Sequence, residues 1–148
     1  MALSSRCRER AKRLSSTIFI YIPIQPSRTT HQSGTRISRG HTYKTAALQA
    51  WEATLEKELK EYVPTSPLEG AILLDVTWAF KARSKKQDGM WKITRPDTDN
   101  LQKTLKDVMT KMEFWKDDAQ VVCEMVEKVW ATSPGISIRI ESLEEKRE

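Results

Sequence analysis

The chain has 148 residues, 39% hydrophobic and 30% charged, the balance of one globular domain with a real core. No apolar run approaches the roughly 18 to 20 residues of a membrane span, so no membrane partner is expected. The net charge of +5 is uneven, +8 over residues 1–50 and −3 over the rest, which suggests a polyanionic partner, nucleic acid first, or a solvated basic tail.

Residues 1–16, "MALSSRCRERAKRLSS", lack the apolar stretch of a secretory signal. They read as a poorly ordered basic tail: a transit-like segment, a basic arm, or residues ahead of the native start. "TIFIYI" (Thr17 to Ile22) then reads as a strand. "PIQPSRTTHQSGTRISRG" is a long loop with Arg28, Arg36 and Arg39 and no acid. A helix is expected from about His41 to Tyr62, with Ala47, Trp51, Leu55, Leu59 and Tyr62 as its apolar stripe.

"AILLDVTWAFKA" (Ala71 to Ala82) alternates as a half-buried strand, with Ile72, Leu74, Val76, Trp78 and Phe80 on one face. The loop after it is basic: Lys81, Arg83, Lys85, Lys86, Lys92 and Arg95 against Asp88. Pro96 ends it. Leu101, Leu105, Val108 and Met112 then fall within about 60° on one helical face. Val121 to Val129 and "GISIRIESL" alternate as two strands, and a charged tail starts at Glu144. The expected order is β-α-β-α-β-β, an α/β (α+β) single domain over residues 17–143 with a mixed β-sheet and packed helices.

The stretch from Arg95 to Val122 holds five aspartates in a basic chain: Asp97, Asp99, Asp107, Asp117 and Asp118. Like charges this close repel unless a cation offsets them. A helix cap or a turn explains one acid of each pair. Asp99 and Lys103, four apart on the polar face, could be an ordinary surface pair. EF-hand spacing fails, because Gln102 and Val108 stand where Gly and Glu are needed. There is no phosphate-binding glycine loop, Cys123 and Cys7 have no zinc-site spacing, and nothing positions His31 or His41 for nucleophilic catalysis. If the strand entrance lies beside the helix's polar side, three carboxylates converge as an all-oxygen site for Mg²⁺ or Mn²⁺. Trp91 and Trp115 flank this stretch, with packing or base stacking as their possible roles.

"D-T-D-N-L-Q-K" (Asp97 to Lys103), Asp107 and "F-W-K-D-D-A-Q-V-V" (Phe114 to Val122) resemble the RusA-type Holliday-junction resolvases, common in phages and prophages. The resemblance extends more weakly to "P-I-Q-P-S" (Pro23 to Ser27) and Lys128. It implies a homodimeric endodeoxyribonuclease, dependent on Mg²⁺ or Mn²⁺, that nicks four-way DNA junctions in recombination and repair; the cytoplasmic location is expected separately, from Cys7 and Cys123 read as free thiols. It places the catalytic and metal-binding carboxylates on Asp97, Asp99 and Asp118, the essential lysine on Lys103, and Asp117 beside them. Lys103 would then stabilise charge on the phosphate or orient the attacking water. Arg28, Arg36, Arg39, Lys85, Lys86 and Arg95 are candidate phosphate contacts. The rival readings are a non-catalytic nucleic-acid-binding module, a nuclease of the same chemistry acting on another branched DNA or RNA, and a structural protein.

Overall fold

A computed structural model describes residues 14–29 and 31–143. The expected tail therefore lies outside the described residues up to position 13, and so does the C-terminal tail from Glu144. Strand β1 runs Leu14–Ile22, three residues longer at its start than the apolar run predicted. The segment read as a long loop contains a short helix α1 (His31–Gly34) and a strand β2 (Thr35–Ser38), which pairs as a hairpin with β3 (His41–Lys44), a stretch read as the start of the helix. Helix α2 (Ala46–Leu59) follows, then a 3₁₀ turn over Lys60–Tyr62. After these come β4 (Ala71–Lys81), a 3₁₀ turn over Lys85–Gln87, α3 (Thr98–Lys111), a 3₁₀ turn over Asp118–Gln120, β5 (Val121–Ala131) and β6 (Gly135–Leu143).

The main sheet has the order β1-β6-β4-β5. β6 pairs antiparallel with both β1 and β4, whereas β4 and β5 are parallel and joined by α3 as a crossover. Alternation decides which face is covered. Ile20 and Ile22, Ile72 to Phe80 at every second position, and Ile136 to Ile140 likewise form one buried cluster with α2 and α3. Both helices thus lie on a single face. The other face carries Arg139, which pairs with Asp75 at 3.1 Å and Glu141 at 3.0 Å, and leaves Phe19 and Tyr21 exposed.

Two expectations around α2 are corrected. The helix begins at Ala46, not His41, because Thr45 caps it by accepting from the Leu48 amide at 3.3 Å and the residues before it pair as a hairpin. Arg39 and Gly40, both at positive φ, form the two-residue turn that suits a hairpin's twist. The buried stripe is then Leu48, Trp51, Leu55 and Leu59, while Ala47 is exposed. Gly34 explains the shift: a Cβ there would sit 2.5 Å from the Leu48 Cβ, so the backbone of α1 rests directly on Leu48.

Candidate active site

Asp97 is the N-cap residue of α3. Its carbonyl accepts from the Leu101 amide at 3.1 Å, yet its carboxylate makes no capping bond. Asp99 lies in the first helical turn, where an acid favours the helix dipole. Both side chains are exposed, and neither has a hydrogen bond or ion pair among the described residues. The loop leading to them is fixed by two lysines. Lys92, only 4% exposed, directs its ammonium to Thr94 Oγ1 at 2.5 Å and the Arg95 carbonyl at 2.6 Å, and stands over the rings of Trp130 and Phe80. Lys128 bonds the carbonyls of Thr94 at 2.8 Å and Pro96 at 2.7 Å. Burial, and then the charges of Lys128, Arg28 and Arg83, pull the Lys92 pKa below its ordinary value. These two cations therefore hold backbone carbonyls and leave the carboxylates of Asp97 and Asp99 unpaired.

The expected Asp99–Lys103 pair does not form. Lys103 Nζ turns the other way along the helix and bonds Asp107 at 2.7 Å. An acid N-terminal to its lysine is ordinarily the better i,i+4 order, so the Lys103–Asp107 pair forms against that preference. The hydrogen bond to Asp107 pushes the Lys103 pKa up, aided by the field of Asp118. Asp107 is thus the direct partner of Lys103. Lys106 and Gln102 both bond Glu124 on β5, at 2.9 Å and 3.1 Å, and Gln102 also accepts from the buried Trp78 indole at 2.8 Å.

Asp117 and Asp118 separate by local geometry. Asp117 accepts from the Ala119 amide at 2.8 Å and forms a capping box with Gln120. Gln120 also donates to the carbonyls of Leu68 and Gly70, at 2.9 Å and 3.0 Å, tying the entrance of β5 to that of β4. Spacing anticipates one turn acid without choosing between the two; Asp117 takes that role, and the Asp118 carboxylate has no hydrogen bond or ion pair among the described residues. Gln120 was missed by reasoning that looked for charge, although the pattern D-x-x-Q is the signal for it.

One chain does not bring the three carboxylates together. Lys128 of β5 meets Pro96, Glu124 meets Gln102 and Lys106, and the turn at Asp118 lies beyond Val121, which is level with Ile72 at the start of β4. Strand β5 therefore runs opposite to α3, and Asp118 falls near the far end of the helix from Asp97. The 14 residues of α3 span about 20 Å at 1.5 Å each. Consistent with this, no group of three or more His, Cys, Asp or Glu close enough to hold a metal ion occurs among the described residues. Arg36 and Arg39 are displayed on the exposed hairpin, Lys85, Lys86 and Arg95 on the loop before α3, and Arg28 close enough to Lys92 to lower its pKa. Trp115, read as flanking the site, is fully buried and donates to Thr110 at 2.8 Å, whereas Trp91 is 64% exposed.

Comparison with known proteins gives a consistent answer. The family model described as Endodeoxyribonuclease RusA matches residues 23–141. A crossover junction endodeoxyribonuclease of Lactococcus phage r1t is 42% identical over 67 residues, 45% of this chain and 51% of that protein, so the match spans about half of that relative. Those of Escherichia coli K12 and Enterobacteria phage 82 are each 32% identical over 120 residues, 81% of this chain and 89% of theirs.

Proposed function

The chain belongs to the RusA family of endodeoxyribonucleases, and from that premise we propose that it is a Mg²⁺-dependent nuclease that resolves four-way DNA junctions by paired nicks. The observation that carries the reading is the state of Asp97 and Asp99: two adjacent-turn carboxylates left unpaired beside a loop dense in cations. Both are open to solvent at the start of α3, with oxygen atoms free to take a bound cation.

The donor chemistry fits a hard divalent ion, since Asp97, Asp99 and Asp118 offer only oxygen and no soft ligand lies beside them. When bound, such an ion supplies Lewis acidity and a water of lowered pKa. The rest falls to the chain. Asp97 and Asp99 bind from one end of α3. Lys103 is kept protonated by Asp107 and presents positive charge to the scissile phosphate as negative charge builds there. Arg28, Arg36, Arg39, Lys85, Lys86 and Arg95 position the DNA backbone without reading bases. Because Asp118 stands at the other end of the helix, the ligand set is completed across a homodimer, Asp118 of one protomer facing Asp97 and Asp99 of its partner. A two-fold dimer would also give the two equivalent cuts.

The test is a nicking assay on a synthetic four-way junction and on linear duplex, with and without Mg²⁺. Wild-type protein should cut only the junction and only with the ion. Asp99→Asn should lose at least about 100-fold in rate, the scale of one charge-stabilising group, and still bind the junction. Normal cutting by Asp99→Asn, or no cutting by wild type, would sink the reading.

A further inference from the structure

The basic loop before α3 does more than carry charge. Met90 is 56% exposed, Trp91 64% and Ile93 92%, while Lys92 between them is buried. The alternation comes from pairing: the Gly89 amide bonds the Trp130 carbonyl at 2.8 Å, the Trp130 amide bonds the Met90 carbonyl at 2.9 Å, and the Lys92 amide bonds the Lys128 carbonyl at 3.0 Å. With Lys92 drawn inward by Thr94 and Arg95, its two neighbours Trp91 and Ile93 are left on the outer side. The tip is fixed at both ends, so presenting its aromatic face to a ligand costs little ordering entropy.

We propose that Trp91 and Ile93 form an apolar platform that stacks on nucleobases of the branched DNA, next to the cut site. This rests on the nuclease reading above and adds the part of the substrate that the tip would touch. Three observations favour bases over a protein partner. Cations surround the tip, with Arg83, Lys85, Lys86 and Arg95 in the same loop and Arg28 close to Lys92, which suits a polyanion. Trp91 is six positions before Asp97, so even at full extension the tip lies within about 20 Å of the cutting residues. A tryptophan face accepts any base, and a branch point offers bases free of one stacking neighbour.

The experiment uses full-length protein and a four-way junction carrying 2-aminopurine at the branch, in Ca²⁺ so that binding is read without cutting. Wild type should change the probe's fluorescence. Trp91→Ala should remove that change and weaken junction binding by about tenfold, with an unaltered melting curve because the side chain is exposed. Trp91→Phe should recover most of both. The salt dependence separates stacking from displacement of the loop: Trp91→Ala should keep the wild-type slope of log affinity against log salt, whereas Lys85→Ala should reduce it by about one. An unchanged probe signal in Trp91→Ala, a reduced slope, or loss of dimer mass on sedimentation would each overturn the proposal. The nuclease reading stands or falls separately, on whether wild type cuts the junction with Mg²⁺.

Discussion

Side chains of the same type do different work within a few positions of each other. Asp117 and Asp118 are adjacent, yet the Asp117 carboxylate accepts an amide hydrogen bond and closes a capping box, while that of Asp118 has no bond among the described residues and acts on Lys103 through its field. Exchanging each for alanine should separate these roles. Asp117→Ala should lower stability by about 1 kcal/mol, the worth of a cap, seen as a lower melting temperature with nicking largely kept. Asp118→Ala should leave the melting temperature unchanged and abolish nicking. The reverse pattern would exchange the two assignments. Lys103 shows the same dependence on surroundings: its sequence neighbour at four residues on either side is an aspartate, and rotamer direction along the helix selects Asp107.

At the scale of elements, the loop from Thr94 to Pro96 owes its shape to lysines from outside it. Lys128 on β5 and Lys92 on the preceding segment converge on three successive carbonyls just before α3 begins. The hydrogen bonds are charge-assisted, and each is worth more than a neutral one. Lys128→Met keeps the length of the side chain and removes its donors. It should cost about 1.5 to 3 kcal/mol in stability and slow single-turnover cutting more than it weakens junction binding, because Asp97 is then no longer held. Lys128→Arg should restore part of the rate. If Lys128→Met loses binding and cutting equally, the lysine is a plain phosphate contact.

At the scale of the molecule, the parallel β4–α3–β5 crossover sets the problem that a dimer would solve. It sets Asp97 at the start of α3 and Asp118 at the entrance of β5, beyond that strand's contacts with Gln102 and Lys106, and no group of three acids able to hold a metal forms among the described residues. Mixing an Asp99→Asn chain with an Asp118→Asn chain gives the check. If each site takes carboxylates from both protomers, half of the mixed dimers' sites are intact, and nicking reappears although each variant alone is inactive. The product should then be a single nick rather than a resolved junction, since the second site of the same dimer holds both substitutions. No activity in the mixture would place all three acids of a working site on one chain.

Much of the fold was legible in the chain because periodicity reports burial directly. The alternation of Ile72 to Phe80 and the stripe of Leu101, Leu105 and Val108 identify β4 and α3 and the faces they bury. The expected frame of four main strands and two helices matches the described architecture for the same reason. The aspartates were legible as a group, since clustered like charge is a local property. The partner of each acid was not. That Lys106 meets Glu124, that Lys128 holds the carbonyls before α3, and that Trp115 is buried while Trp91 faces outward depend on contacts between residues far apart in the chain. Local pattern carries the identity of an element and the side it buries. Only the packed sheet decides what stands beside it, because register and strand direction set distances that no spacing along the chain encodes.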